Sequence, residues 1–260
     1  MNVSVEEGGP GEPDDSGGAG EAAPRPLSAR SVVLSLLLGA HPPELAVKDL
    51  VRLVEPFGVG GSTLRAALSR MVAAGDLRRT DAVYSLSDRL MARQCRQDDA
   101  VRPGTRAWRG DWEMLLVTAT GRGPAERAEL RARLTALRLA ELREGVWLRP
   151  ANLDRALPDD LAEIVQFWTA RPEGHPRELA ERLWPLDDWA ATARSLLAHV
   201  TDSHRPADRL AAFAAVVRHL ITDPVLPPAL LPADWPGEAL RAAYAGYRRR
   251  LTGAAGGGDA

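Results

Sequence analysis

The sequence predicts an α+β protein in three parts: an N-terminal winged helix-turn-helix, a central ferredoxin-like α/β sandwich and a helical C-terminal domain. Three observations carry this prediction. Three helix-length amphipathic segments and two short strand segments fill residues 28–86. Between 112 and 169 the order is strand, helix, strand, strand, short helix, strand. From Glu178 the chain is helical again, interrupted by one proline-dense stretch, "TDPVLPPALLPADWPG".

The elements follow in chain order. Residues 1–27 hold six acidic groups against Arg25 and are rich in Gly and Pro, so they read as a disordered acidic tail. Residues 28–92 form the winged module. Its first helix has Ser28 as N-cap and buries Val32, Leu36 and Leu37 before stopping near Gly39. "ELAVKDLVRLVEPFG" makes a second helix with Leu50, Val51 and Val54 on its inner face, ended by Pro56 and Gly58. The third helix is "GSTLRAALSRMVAAGDL", and strands at 77–79 and 83–86 flank a Thr80-Asp81-Ala82 turn. "SDRLMARQCRQ" reads as an exposed linker helix and "DDAVRPGTRAW" as a loop.

Residues 108–172 hold the central domain. "WEMLLVTAT" is a buried strand, and the helix after it begins at Pro124. "AELREGVWLRPANL" is a hairpin about Glu144-Gly145, with a short helix at 158–165 and a strand at 165–169 completing the sandwich. Residues 173–252 make the helical domain, and "TGAAGGGDA" a flexible end.

Composition sets the class. With 45% hydrophobic and 26% charged residues, the chain has ordinary globular values. It has no apolar run long enough to cross a bilayer and no secretory signal pattern, which leads to the expectation of a cytoplasmic protein without a membrane partner. Cys95 is the only cysteine, so an internal disulfide and a multi-cysteine metal site are excluded. Lys48 is the only lysine beside 32 arginines, a bias that by itself argues little. The distribution of charge says more: net charge is -2 overall, yet residues 28–97 hold ten basic groups against six acidic ones. A basic segment in an acidic protein fits a nucleic-acid-binding module.

The third helix is the candidate reader. Leu64, Ala67, Leu68, Met71 and Val72 recur as one apolar stripe. Ala66, Ser69 and Arg70 lie opposite, Thr63 and Arg65 flank them, and Ser62 is placed as N-cap. A helix entering a major groove about 12 Å wide needs such a short-chained outer face. Arg65 or Arg70 would pair bidentately with guanine, Thr63 and Ser69 would bond bases or phosphates, and Ala66 would touch a thymine methyl. Arg78 and Arg79, in the wing, are placed for phosphates or the minor groove. The same pattern also fits a solvated surface helix; the tandem helices and the arginine-bearing hairpin favour DNA.

Catalytic signatures are missing. "GRGPAE" lacks the Gly-Lys-Ser/Thr end of a phosphate loop, and no Gly-x-Ser-x-Gly elbow occurs. His199, Asp202 and His204 stand close in sequence, but without a fourth ligand a polar turn is the simpler reading, so no metal or cofactor is expected. All seven tryptophans fall after residue 107; most are expected in the core, and some as walls of an effector pocket near 222–237.

Three stretches carry a resemblance to the PaaX family of phenylacetic acid degradation repressors: "LVRLVEPFGVGGSTLRAALSRMVAAGDL", "AELREGVWLRPANL" and "HLITDPVLPPALLPADWPG". The resemblance spans about residues 28–250 in the same order. It implies a winged-helix DNA-binding domain with Ser62, Thr63, Arg65, Ala66, Ser69 and Arg70 on the recognition helix. It further implies a central domain related to small CRISPR-associated nucleases and a helical C-terminal domain. Members of that family act as dimeric repressors of aromatic catabolic genes with phenylacetyl-coenzyme A as inducer. The expectation is therefore a non-enzymatic homodimeric repressor that binds a double-stranded DNA operator and answers to an acyl-coenzyme A effector. The long acidic N-terminal segment and the Gly60-Gly61 pair depart from the family pattern. Two other readings stand beside it: a central-domain nuclease, which needs acidic metal ligands near the end of the first central strand where this sequence has Thr118 and Thr120, with Asp111 and Glu113 at the strand's start instead, and an adaptor whose winged helix binds protein.

Overall fold

The computed structural model describes residues 27–256, so the acidic segment expected at 1–27 lies outside the described residues apart from Leu27. Helix α1 (Ala29–Gly39) starts as expected, the Ser28 hydroxyl accepting from the Ser31 N–H at 3.1 Å. A three-residue strand, β1 (Glu44–Ala46), comes next, where the sequence predicts helix. It adds to the wing hairpin by pairing with β3 (Val83–Leu86), which also pairs with β2 (Leu77–Thr80) in the order β1-β3-β2. Helix α2 (Val47–Val54) is correspondingly shorter and buries Leu50, Leu53 and Val54. Val51, predicted inside, is 40% exposed, and Leu53 is buried in its place.

Helix α3 (Gly61–Ala73) buries Leu64, Ala67, Leu68 and Met71. Its N-cap is Gly60, not Ser62, and no side chain caps it. Its C-terminus is closed by Gly75 at φ +69, with the Gly75 N–H on the Val72 carbonyl and the Asp76 N–H on the Met71 carbonyl. This paired closure requires a left-handed residue, which is what the glycine of "AAGDL" supplies. Gly60 is different. It sits at φ -70 and ψ 156, and a Cβ there would meet nothing within 4 Å. Gly60→Ser is therefore expected to stabilise the chain by about 0.3–1 kcal/mol, by capping α3 and restricting the unfolded chain. An unchanged or lower midpoint in urea unfolding would contradict this.

Helix α4 (Asp88–Val101) corrects the linker reading on two counts. It runs into the stretch expected as loop, and it buries Leu90, Gln94, Gln97, Ala100 and Val101. Gln94 donates to the carbonyls of Leu37 (3.4 Å), Leu38 (3.2 Å) and Ala40 (2.8 Å), satisfying the open end of α1.

The central sheet has strands β4 (Trp112–Val117), β5 (Ala140–Arg143), β6 (Val146–Pro150) and β7 (Val165–Ala170), ordered β5-β6-β4-β7 and all antiparallel. That is the ferredoxin-like order. One face packs Leu115, Trp147 and Val165 under α5 (Pro124–Ala136). The second helix of the sandwich, expected at 158–165, is a single 3-10 turn, Asp159–Glu163. Too few residues separate Pro158 from β7 to nucleate an α-helix. The edge strand stays correspondingly open, with Phe167 and Trp168 about half exposed.

The remaining helices are α6 (Pro176–Leu183), α7 (Leu186–Asp202), α8 (Pro206–Ile221) and α9 (Gly237–Gly256), the last continuing into the glycine-rich end predicted to be flexible. Two packing arrangements tie them in. Leu226, Leu230 and Leu231 of the proline-dense stretch join Ala180 of α6 and Leu186 of α7 against Trp112 and Leu148, covering the other face of the central sheet. Trp189, Val216, Leu220, Leu240 and Tyr247 belong to one continuous core with Val33, Leu37, Leu64, Leu68 and Val101. The helices that surround α3 are thus built on the C-terminal bundle, so a shift in that bundle reaches α3 through packed side chains.

Candidate nucleic-acid interface

The outward face of α3 is open along its length. Ser62, Thr63, Arg65, Ala66, Ser69 and Arg70 are all exposed, as is Ala73. Helical spacing puts Ser62, Ala66, Ser69 and Ala73 on a central line with an arginine to each side. Neither the Arg65 nor the Arg70 guanidinium has an ion pair or hydrogen bond among the described residues. Their charge stays available to a ligand, whereas paired arginines would first have to release a carboxylate.

The wing meets this face on the Arg65 side. Arg65, Ser69 and Val72 share a cleft of about 420 Å³ with Val47, Arg79 and Tyr84. Arg79 donates through Nε to the Asp81 carbonyl at 2.8 Å, and its guanidinium lies 5.9 Å from the Tyr84 ring centroid. A cation over a ring face is held without losing its charge. Arg78 departs from the expectation of a free phosphate ligand, for it is ion-paired with Asp88 at the start of α4. That carboxylate lies lower than usual because of its bond to Arg78 and the neighbouring charge. The pair is exposed, so a phosphate has little to overcome in replacing Asp88.

Asp76, unremarked in the sequence beyond ending the helix, anchors α3. Its side chain is only 4% exposed and takes Arg30 of α1 on one oxygen, at 2.7 and 3.2 Å, and Arg89 of α4 on the other. A buried carboxylate held by two guanidiniums fixes where the far end of α3 points.

Elsewhere the chemistry is structural. At the start of the first central strand, Asp111 bonds Arg171 at 2.6 Å and Glu113 bonds Arg155 at 3.3 Å, so both carboxylates are held by arginines. His199 and Asp202 end α7 and His204 falls in the following turn, and no group of three or more His, Cys, Asp or Glu converges among the described residues. None of the described helices is long and apolar enough to cross a membrane.

Sequence comparison completes the picture. The profile described as PaaX-like protein matches residues 28–90, that of the PaaX protein central Cas2-like domain matches 105–178, and that of the PaaX-like protein C-terminal domain matches 179–257. The chain belongs to the PaaX family. This is the family of phenylacetic acid degradation transcriptional repressors, whose members are transcriptional regulators. A solved structure similar to it is that of the uncharacterized protein Rv0674 from Mycobacterium tuberculosis, 50% identical, with a TM-score of 0.79 over 88% of this chain and 97% of that one. No protein with a curated description matches.

Two of the PaaX-like stretches, "AELREGVWLRPANL" and "HLITDPVLPPALLPADWPG", meet in space. Arg149, fully buried, donates to the carbonyls of Pro150 (3.0 Å) and Val225 (3.4 Å) and to Asn152 Oδ1 (2.9 Å), while Asn152 donates to the Val225 carbonyl at 2.9 Å. Burial pulls the Arg149 guanidinium down to about 9, against the opposing charge of Glu113, which leaves it cationic at neutral pH. Val225 sits at φ 51, a strained value for a branched residue, and the Asp223 carboxylate holds its N–H at 2.7 Å. The other oxygen of Asp223 takes Arg241 of α9 at 2.7 Å, and Arg241 Nε donates to the Ala100 carbonyl at the end of α4. The bonds of Arg149 and Asn152 to Val225 and of Arg241 to Ala100 are not visible in a linear pattern, because they span 76, 73 and 141 residues.

Proposed function

We propose that this PaaX-family chain acts as a homodimeric repressor that reads a pseudo-palindromic operator through α3 and is released by an acyl-coenzyme A effector such as phenylacetyl-coenzyme A. The observation that carries the reading is the outer face of α3: small residues along its centre, an unpaired arginine on each side, and Arg79 of the wing beside it. Such a face lets the helix axis approach base edges while the arginines reach guanine on either side. Two-fold symmetry would set the two reading helices about 34 Å apart, one turn of DNA.

Two substitutions test the proposal. Arg65→Ala and Arg70→Ala are each expected to weaken binding to the selected operator by about tenfold to a hundredfold. Binding to unrelated duplex should change far less, since phosphate contacts supply most of it. Fluorescence anisotropy with both DNAs at one salt concentration measures the difference, and equal losses on both would remove these arginines from sequence reading. Because both side chains are exposed and unpaired, the variants should fold normally.

A further inference from the structure

The reading face carries positive charge that the described residues leave unanswered. Arg65 and Arg70 have no carboxylate partner among them, and the cleft beside Arg65 is lined by two arginines and no acidic residue. Lys48 adds to this surface. It is exposed and follows Val47, which lines the same cleft and whose N–H donates to the Ala82 carbonyl of the wing turn at 2.8 Å. Like charges gathered on one surface repel, and an anion laid across them relieves the repulsion.

The chain itself supplies such an anion. Residues 1–27 carry Glu6, Glu7, Glu12, Asp14, Asp15 and Glu21 against Arg25, while residues 28–97 hold ten basic groups against six acidic ones. Five of the six carboxylates fall within "EEGGPGEPDD". This stretch precedes the family match, which begins at residue 28.

Its point of attachment lies at the reading helix. Arg30, in the first turn of α1, bonds Asp76 just past the end of α3 at 2.7 Å, and Leu27 packs against the core to which Leu64 and Leu68 of α3 belong. Arg65 stands about 17 Å from Asp76 along the axis of α3. Twelve residues separate Asp15 from Leu27. A Gly-rich chain of that length averages about 20 Å end to end and reaches about 40 Å at most, so the carboxylates have the length to cover the face.

We propose that the acidic segment 6–21 docks on the outer face of α3 and its wing in the DNA-free chain, its carboxylates meeting Arg65, Arg70, Arg79 and Lys48 where DNA phosphates would otherwise lie. Covalent attachment holds the segment at a local concentration on the order of millimolar, so individually weak contacts suffice. Any duplex must displace it. Affinity for the operator and for unrelated DNA is therefore lowered by the same factor, and the ratio between them is kept. The inference rests on the DNA-reading role of this face only for that effect; the docking stands on charge and reach.

Carbodiimide cross-linking of the DNA-free full chain tests the docking, because Lys48 is the only lysine and the reagent joins it only to a carboxylate in direct contact. A link from Lys48 to Glu12, Asp14 or Asp15, mapped by mass spectrometry, is expected. Links from Lys48 to carboxylates of residues 28–256 alone, or none at all, overturn the proposal. Replacing Glu6, Glu7, Glu12 and Glu21 by Gln and Asp14 and Asp15 by Asn in the full chain should tighten binding of the selected operator and of unrelated duplex alike. The gain is expected to be about threefold to tenfold at about 50 mM salt and to fade at about 300 mM, where exposed charges are screened. Unchanged affinity at the lower salt overturns the competition. With Arg65→Ala and Arg70→Ala also present, the gain should shrink to about twofold or less, because the segment has lost its partners. A gain of undiminished size would mean repulsion of DNA at a distance and would overturn the docking. A Lys48 link in a chain that binds no duplex specifically would sink the repressor reading and leave the docking intact.

Discussion

Asp223→Ala is expected to lower the stability of the chain by about 3–5 kcal/mol, the range found when one partner of a buried ion pair is removed. The side chain is 1% exposed, and its partner Arg241 is 17% exposed. Truncation leaves the Arg241 guanidinium with the Ala100 carbonyl but no counter-charge, and leaves the Val225 N–H without its acceptor at a residue already held at φ 51. Asp223→Asn keeps an acceptor for Val225 and should lose less. Urea unfolding of both variants measures the order, and a cost for Asp223→Ala within the ordinary surface range of about 0.5 kcal/mol would contradict the stabilising role of the Asp223–Arg241 pair. If the core shared between the two ends of the chain transmits the loss, DNA binding should weaken as well, although no DNA-facing residue has been touched.

Gly237→Ala is the second large effect, expected to cost about 1–3 kcal/mol through overpacking. A Cβ at this position would lie 2.5 Å from Trp235 Nε1, 2.9 Å from Arg241 Nη1 and 3.0 Å from Asp223 Oδ2. One added methyl therefore pushes on both partners of the ion pair and on the ring stacked 4.5 Å from Trp189. The glycine of "DWPG" is required by close approach at the start of α9, in contrast to Gly60, where the same atom meets open space. Opposite signs for Gly237→Ala and Gly60→Ser in one unfolding assay would separate a packing glycine from a permissive one; a neutral Gly237→Ala would remove the steric account of the motif.

The elements whose signal is local were legible in the sequence. Ser28 caps α1, Pro124 starts α5, the Glu144-Gly145 turn joins β5 to β6, and the apolar stripe of α3 faces inward, because each depends on neighbours within one turn or one hairpin. Features decided by distant partners were not. β1 is a strand because β3 offers it a ladder, although "ELAVKDL" reads as helix. α4 is buried because Gln94 finds the carbonyls at the end of α1, some 54–57 residues away. At the reading face the exposed residues were legible from helical period, whereas the pairing of Arg78 with Asp88 and the grip of Arg30 and Arg89 on Asp76 were not. Arg127 and Arg131 lie on the ordinary-looking amphipathic helix α5, and only the fold brings the turn at 222–224 to face them.

Selection of duplex sites from a random library by the full chain tests the central claim most directly, because it asks whether α3 reads sequence without presupposing the operator. The account predicts enrichment of a two-fold related site with half-sites about one DNA turn apart, and loss of base preference at matched positions in both half-sites when Arg65 or Arg70 is replaced by alanine. Recovery of unenriched DNA, or of the same motif at the same strength with both arginines removed, would contradict it.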